Sequence, residues 1–159
     1  MSSKTLSLLM RVATISVAIC GLFVCGYLFP SWINDIALAN PEFSDWSLPW
    51  KIFLSAASVP LFIILVYIWK VTGSIKHDEV FTIKTAKWVK TGAVLLFADV
   101  GFFFVGNLIF GLTGINHPGI FLLSLIVDIV AIALATLMAI LSRYLTKAAD
   151  LQELSEGTI

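Results

Sequence analysis

The sequence predicts an all-α fold: an integral membrane four-helix bundle with both termini cytoplasmic. Three observations carry that expectation. Of the 159 residues, 59% are hydrophobic and only 13% are charged, whereas soluble domains are about one quarter charged, and the mean hydropathy is +0.99. The apolar residues gather into four stretches, residues 8–29, 50–69, 88–112 and 119–141, each close to the roughly 20 residues a helix needs to cross a bilayer. The basic residues collect between and beyond alternate stretches. Lys4 and Arg11 stand at the start, Lys70, Lys76, Lys84, Lys87 and Lys90 in the middle, and Arg143 and Lys147 after the fourth span. Lys and Arg favour the cytoplasmic side, so the chain reads as one membrane domain over residues 1–159. Its segment 142–159 forms a helical tail inside the cell.

Span one follows two cations and could be mistaken for a secretory leader, with "ALA" at residues 37–39 as a cleavage site. The run is long for a leader and the small residues lie well past its end, so a retained helix is expected. Ser7, Arg11, Thr14, Ala18, Gly21 and Cys25 recur at steps of four and three, which places them on one stripe. Arg11, near the inner end, can carry its charge to the interface. Cys20 and Cys25 point about 140° apart on a helix and cannot bridge each other. They read as small apolar fillers.

The following segment, "PSWINDIALANPEFSDWSLP", has no Lys or Arg and reads as an outer loop carrying Asp35, Glu42 and Asp45. Tyr27, Trp32, Trp46 and Trp50 on that side, and Tyr67, Trp69, Trp88 and Tyr144 on the other, fit the aromatic belts of the two interfaces. Span two carries less pattern: Ser55 and Ser58 precede Pro60, whose missing N–H frees the Ala56 carbonyl and is expected to bend the helix. The basic segment "KVTGSIKHDEVFTIKTAKWVK" reads as an inner loop attracted to anionic headgroups. Val80, Phe81 and Ile83 are its apolar points.

Span three contains the one abrupt departure from hydrocarbon, Asp99 in "AVLLFADVGFFF". Gly92, Asp99 and Gly106 repeat every seven residues, giving a face without bulk, while Phe102, Phe103 and Phe104 are left to face lipid or fill gaps. The short outer connection "GLTGINHPG" makes spans three and four neighbours. In span four, Ser124, Asp128, Ala131, Ala135, Ala139 and Ser142 form a second small or polar stripe. Such stripes let membrane helices approach closely, because lipid leaves little hydrophobic drive between them.

Asp99 and Asp128 each lie about 15 Å from an edge of their span at 1.5 Å per residue, near the middle of a core about 30 Å thick. An ionised carboxylate there costs at least about 2.5 kcal/mol, so at least one is expected to hold its proton at neutral pH. Asn107, Thr91 or a serine of another span would supply a hydrogen bond to it. Two readings stand side by side: a neutral hydrogen-bonded clamp between helices, and a proton or cation path through Asp99, Asp128 and Asn107. Other chemistries are set aside. His77 and His117 lie in loops, no lysine sits at mid-span, and no catalytic triad, HExxH or phosphate loop occurs. The expectation is a protein without enzymatic activity, cofactor or metal.

The tail "SRYLTKAADLQELSEGTI" keeps helical spacing, with Tyr144, Ala148, Leu151 and Leu154 on one apolar edge and Arg143, Lys147 and Asp150 on another. Span four is expected to continue by about three turns, until Gly157 stops it. With Phe81, this edge is the candidate partner contact, either with its own chain or with another protein's groove.

"NHPGIF" opening the last span, "DEVFT" in the basic segment, and the tail resemble the bacterial four-span membrane family known as domain of unknown function 2975. The similarity covers essentially the whole chain in span order and loop lengths. Pro118, Gly119, Phe81, Thr158 and Ile159 fit its pattern, while Leu154 and Gly157 depart from it. The resemblance implies a multi-pass protein of the bacterial inner membrane, often encoded beside a small helix-turn-helix transcription regulator. It thus implies a sensor or anchor whose inner segment and tail contact that regulator, with no direct binding to nucleic acid. The rival expectation is a small homo-oligomeric transporter or channel in which Asp99 and Asp128 carry protons or cations.

Overall fold

A computed structural model describes residues 3–76 and 80–156, and these residues form helices, short turns and no strand. His77 and the tail residues Gly157, Thr158 and Ile159 lie outside the described residues. Helix α1 (Ser3–Phe23) runs through a π-helical turn, Val24–Leu28, directly into α2 (Phe29–Ala39). A 3-10 turn, Pro41–Trp46, leads to α3 (Ser47–Lys76), followed by α4 (Ile83–Leu112) and α5 (Pro118–Glu156). Four helical stretches, with α1 and α2 as one, are long and apolar enough to cross a membrane.

The helices run further than the apolar stretches alone suggest. The segment after residue 29 is helical to Ala39 rather than an outer loop. Pro30 explains the intervening turn: its ring leaves no room or donor for the Gly26 carbonyl, and a widened turn relieves the clash. Phe29 N–H accordingly bonds Val24 O, five residues back. Most of the basic segment is likewise helix, the end of α3 and the start of α4. Thr82 caps α4 by accepting from Thr85 N–H. Pro60 lies inside a continuous α3.

Consecutive helices are neighbours. Helix α1 packs on α3, α3 on α4, and α4 most extensively on α5, so among the described residues the bundle is open between α1 and α5. The small stripes make these contacts. Ser7 and Thr14 of α1 are buried, and Gly21 faces Phe62 of α3, whose ring would stand 3.3 Å from an added Cβ. On α5, Ser124, Asp128, Ala135 and Ser142 are buried.

Polarity runs outward to inward in the sense opposite to a water-soluble protein. Buried polar groups include Thr72, Thr85, Asp99, Asn107 and Asp128, while Leu, Ile and Val side chains cover much of the outer surface of α1 and α5. In water that surface would be unstable; in lipid it costs nothing. The chain is therefore a multi-pass membrane protein. Hydroxyl bonds tie the helices in series at one end: Ser7 Oγ donates to Thr72 O at 3.1 Å, Thr85 Oγ1 to Ser74 Oγ at 3.1 Å, and Ser142 Oγ to Ala86 O at 3.0 Å. The start of α1, the end of α3, the start of α4 and the tail portion of α5 thus share that end, which also carries most of the cations.

At the opposite end, Trp50 Nε1 donates to Ile115 O at 3.0 Å and fixes the α4–α5 turn to α3. Gly114 turns there at φ 75°, a left-handed conformation in which a Cβ would be strained. His117 Nδ1 accepts from Gly119 N–H at the start of α5. Lys51 Nζ donates to Asn34 Oδ1, joining α3 to α2.

Candidate functional site

The α4–α5 interface is antiparallel, and two contacts set its register. Ser142 meets Ala86, and Met138 lies against Gly92, its Cε 2.6 Å from where a Cβ would be. That register brings Asp128 level with Asp99. Both side chains are buried, at 9% exposure for Asp99 and 5% for Asp128, and they lie within electrostatic reach of each other. The sequence placed them on facing stripes, and the structure brings them together at mid-helix.

Their hydrogen bonding differs from expectation. Asp99 Oδ1 and Asp128 Oδ2 are buried without a partner. Thr91, named from the sequence as a donor, bonds Lys87 O of its own helix at 2.9 Å. Among the serines, Ser124 bonds Phe121 O at 2.7 Å and Ser142 bonds Ala86 O. Each hydroxyl thus satisfies a helix carbonyl nearby, the usual competition for hydroxyls inside a helix.

Asn107 is fully buried but does not join the pair. It sits two turns further along α4, about 12 Å at 1.5 Å per residue. Its Nδ2 donates to Phe103 O at 2.9 Å, and its Oδ1 accepts from Asn116 Nδ2 at 3.1 Å. Asn107 therefore braces the α4–α5 turn. Among the described residues, no three His, Cys, Asp or Glu side chains gather as a metal site.

The residues named as partner contacts lie at and beyond the hydroxyl-bonded end. Phe81 is exposed, as are Tyr144 (66%), Leu151 (68%) and Leu154 (70%). The tail does bind its own chain, but through a different edge from the one read in the sequence. Leu145 packs with Ala86 and Val89 of α4, with Val71, Val80 and Met138 around them, and Ala149 is buried on the same side. Tyr144 and Leu151 stand one and two positions off that edge, which on a helix turns them outward by 100° or more.

A feature the sequence reading missed is the inward stripe of α3. Phe53, Ala57 and Ile64 are buried, with Pro60 between them at helical spacing. Phe53 closes on Gly106 and on the rings of Phe102, Phe103 and Phe110, with ring centroids 5.2 to 5.4 Å apart. The signal was available as a four-three-four spacing, but it is a stripe of bulk that fills a glycine gap. A search for small or polar faces passes over it.

A family model described as a protein of unknown function (DUF2975) matches residues 31–159. No curated protein and no solved structure matches the chain.

Proposed function

Because the chain belongs to the DUF2975 family, whose function is unknown, we propose a role for it from its own geometry. It is a non-enzymatic sensor or anchor of the bacterial cell membrane, with both termini cytoplasmic. The extension of α5 docks a cytoplasmic helix-turn-helix regulator. The orientation rests on the cations: Lys4, Arg11, Lys70, Lys84, Arg143 and Lys147 belong to the end that carries the termini, and that excess is the mark of a cytoplasmic face.

The single observation that carries the reading is the two-edged tail. Helix α5 continues 15 residues past the apolar span, to Glu156, about 22 Å at 1.5 Å per residue. One edge is turned inward, with Ser142 and Leu145 against α4 and Ala149 buried on the same side, and the opposite edge, Tyr144 and Leu151 with Leu154 beyond, stays exposed. An apolar edge held at a fixed angle by its own core suits a groove on a partner. Basic surroundings add attraction to an acidic rim.

The test is co-expression with a small helix-turn-helix regulator from the same organism, followed by purification from membranes. Recovery of the regulator with wild type is expected, and Leu151→Asp combined with Leu154→Asp is expected to lower affinity at least tenfold, since buried anchors of this kind carry about 2 kcal/mol each. Both positions are off the Leu145 edge, so the bundle should keep its helical content. Recovery unchanged by the double substitution would sink the docking edge.

A second reading is favoured by the unpartnered oxygens of Asp99 and Asp128. In it the protein is a small oligomeric proton- or cation-coupled transporter or channel. Proteoliposomes under a pH gradient should then conduct protons, and Asp99→Asn or Asp128→Asn should stop the current. Wild-type vesicles as tight as empty ones would remove this reading.

A further inference from the structure

We infer that the hydroxyl-bonded end holds a binding site for a phosphate group, built by α1, α3 and α4 around Arg11, Lys70 and Lys84. These three cations line one cleft of about 410 Å³, within the range of small-ligand sites. Among the described residues, no acidic side chain lines it and no carboxylate pairs with any of the three. Among the described residues positive charge is concentrated there without an internal counter-ion; Asp78 and Glu79, between α3 and α4, lie outside them.

The aromatic rings around the cleft hold the cations in place. The Arg11 guanidinium lies over Trp69, 5.2 Å from the ring centroid, and Lys84 Nζ lies 5.2 Å from that of Trp88. Lys70 Nζ stands between Tyr67 and Trp88, at 5.1 and 5.9 Å. Cation–π contacts fix these long side chains but leave their N–H donors unused. One donor is conspicuously unmet, since Arg11 Nε is buried with no acceptor. Removing such a donor from water without a partner is unfavourable, and an anion in the cleft would offset it.

Two further features select phosphate. Thr82, the N-cap of α4, lines the cleft, so the positive end of a 30-residue helix adjoins it. Ser74 adds a hydroxyl to the same wall. Three cations, a helix start and hydroxyls suit the several acceptor oxygens of a phosphate better than the two of a carboxylate. Trp69 and Trp88 lie at the edge of the apolar spans, the level at which indoles meet headgroups. A lipid phosphate and a soluble phosphate both meet this chemistry. The site does not depend on the docking edge of α5.

The experiment uses the full chain in a zwitterionic detergent and follows thermal unfolding and native mass spectra. The probes are phosphatidylglycerol, phosphatidylcholine and inorganic phosphate. A rise in Tm with phosphatidylglycerol, far smaller with the other two, and one retained anionic lipid per chain assign the site to a headgroup. An equal rise with inorganic phosphate assigns it to a soluble phosphate. Lys70→Gln with Lys84→Gln, both at exposed positions, should weaken either response at least tenfold in ligand concentration while the unliganded Tm stays put. Arg11→Lys, which keeps the charge but removes Nε, should weaken it too. Absence of any response, or a response that the lysine substitutions leave intact, overturns the site.

Discussion

Gly106→Ala is expected to destabilise the protein by about 1–3 kcal/mol, the usual cost of forcing bulk into a filled site, and Gly106→Leu by more. The Phe53 ring occupies the space: an added Cβ would stand 2.2 Å from Cε2 and 2.6 Å from Cζ. That ring cannot swing aside, because Phe102, Phe103, Phe110 and Trp50 surround it at centroid distances of 5.2 to 5.9 Å. Gly92→Ala serves as the contrast. Its obstacle is the terminal methyl of Met138, a flexible side chain that can choose another rotamer, so a change under about 1 kcal/mol is expected. Thermal unfolding in detergent measures both. Phe53→Leu combined with Gly106→Ala should recover part of the loss, and simple additivity in that double variant would mean that the two side chains do not meet.

The second large effect concerns the paired carboxyls, and its sign is the informative part. Asp99→Leu with Asp128→Leu is expected to leave the protein as stable or to stabilise it by about 1–3 kcal/mol, since each acid now buries an oxygen without a partner and such an oxygen costs that order of free energy. Leucine keeps the branching of aspartate and replaces both oxygens by methyl groups, so the α4–α5 packing should persist. Tm should rise by about 2–4 °C per kcal/mol for a chain of this size. A fall of similar size would show that the acids act as a clamp joining the two helices. Groups retained at a cost in stability are commonly retained for activity, which is why a gain in Tm would turn attention to transport assays on this pair.

Much of the fold was legible because lipid imposes simple demands. Residues 50–69, 88–112 and 119–141 had to be helical, since a backbone inside hydrocarbon can satisfy its hydrogen bonds in few other ways. The stripes on spans one, three and four were legible for a related reason: close packing needs small residues at helical spacing, and Ser7, Gly21, Gly92, Gly106, Ala135 and Ser142 all lie on packed faces. Helix ends were less legible. Pro30 reads as a stop, yet the chain passes it through a π turn, and an apolar-run rule does not see the polar helical turns before and after each span.

The candidate site divides along the same line. That Asp99 and Asp128 share a depth follows from counting residues along two antiparallel helices. That neither takes a hydrogen bond from Thr91 or Asn107 does not, because each of those side chains found a nearer carbonyl or amide within its own helix or turn. The tail edge shows the limit most clearly. Tyr144, Leu151 and Leu154 make an apolar edge by spacing, as do Leu145 and Ala149, and the sequence holds no preference between them. Contact with Ala86 and Val89 chose the second and left the first outside.

By itself the sequence determined the solvent, the number of crossings and which faces are narrow, since these depend on composition and on the local period of the helix. Only the tertiary structure decided which bulky ring enters which glycine gap, which tail edge is covered, and that Arg11, Lys70 and Lys84 from three helices share one cleft. Those are distances between residues far apart in the chain, and they are set by how rigid helices fit against one another.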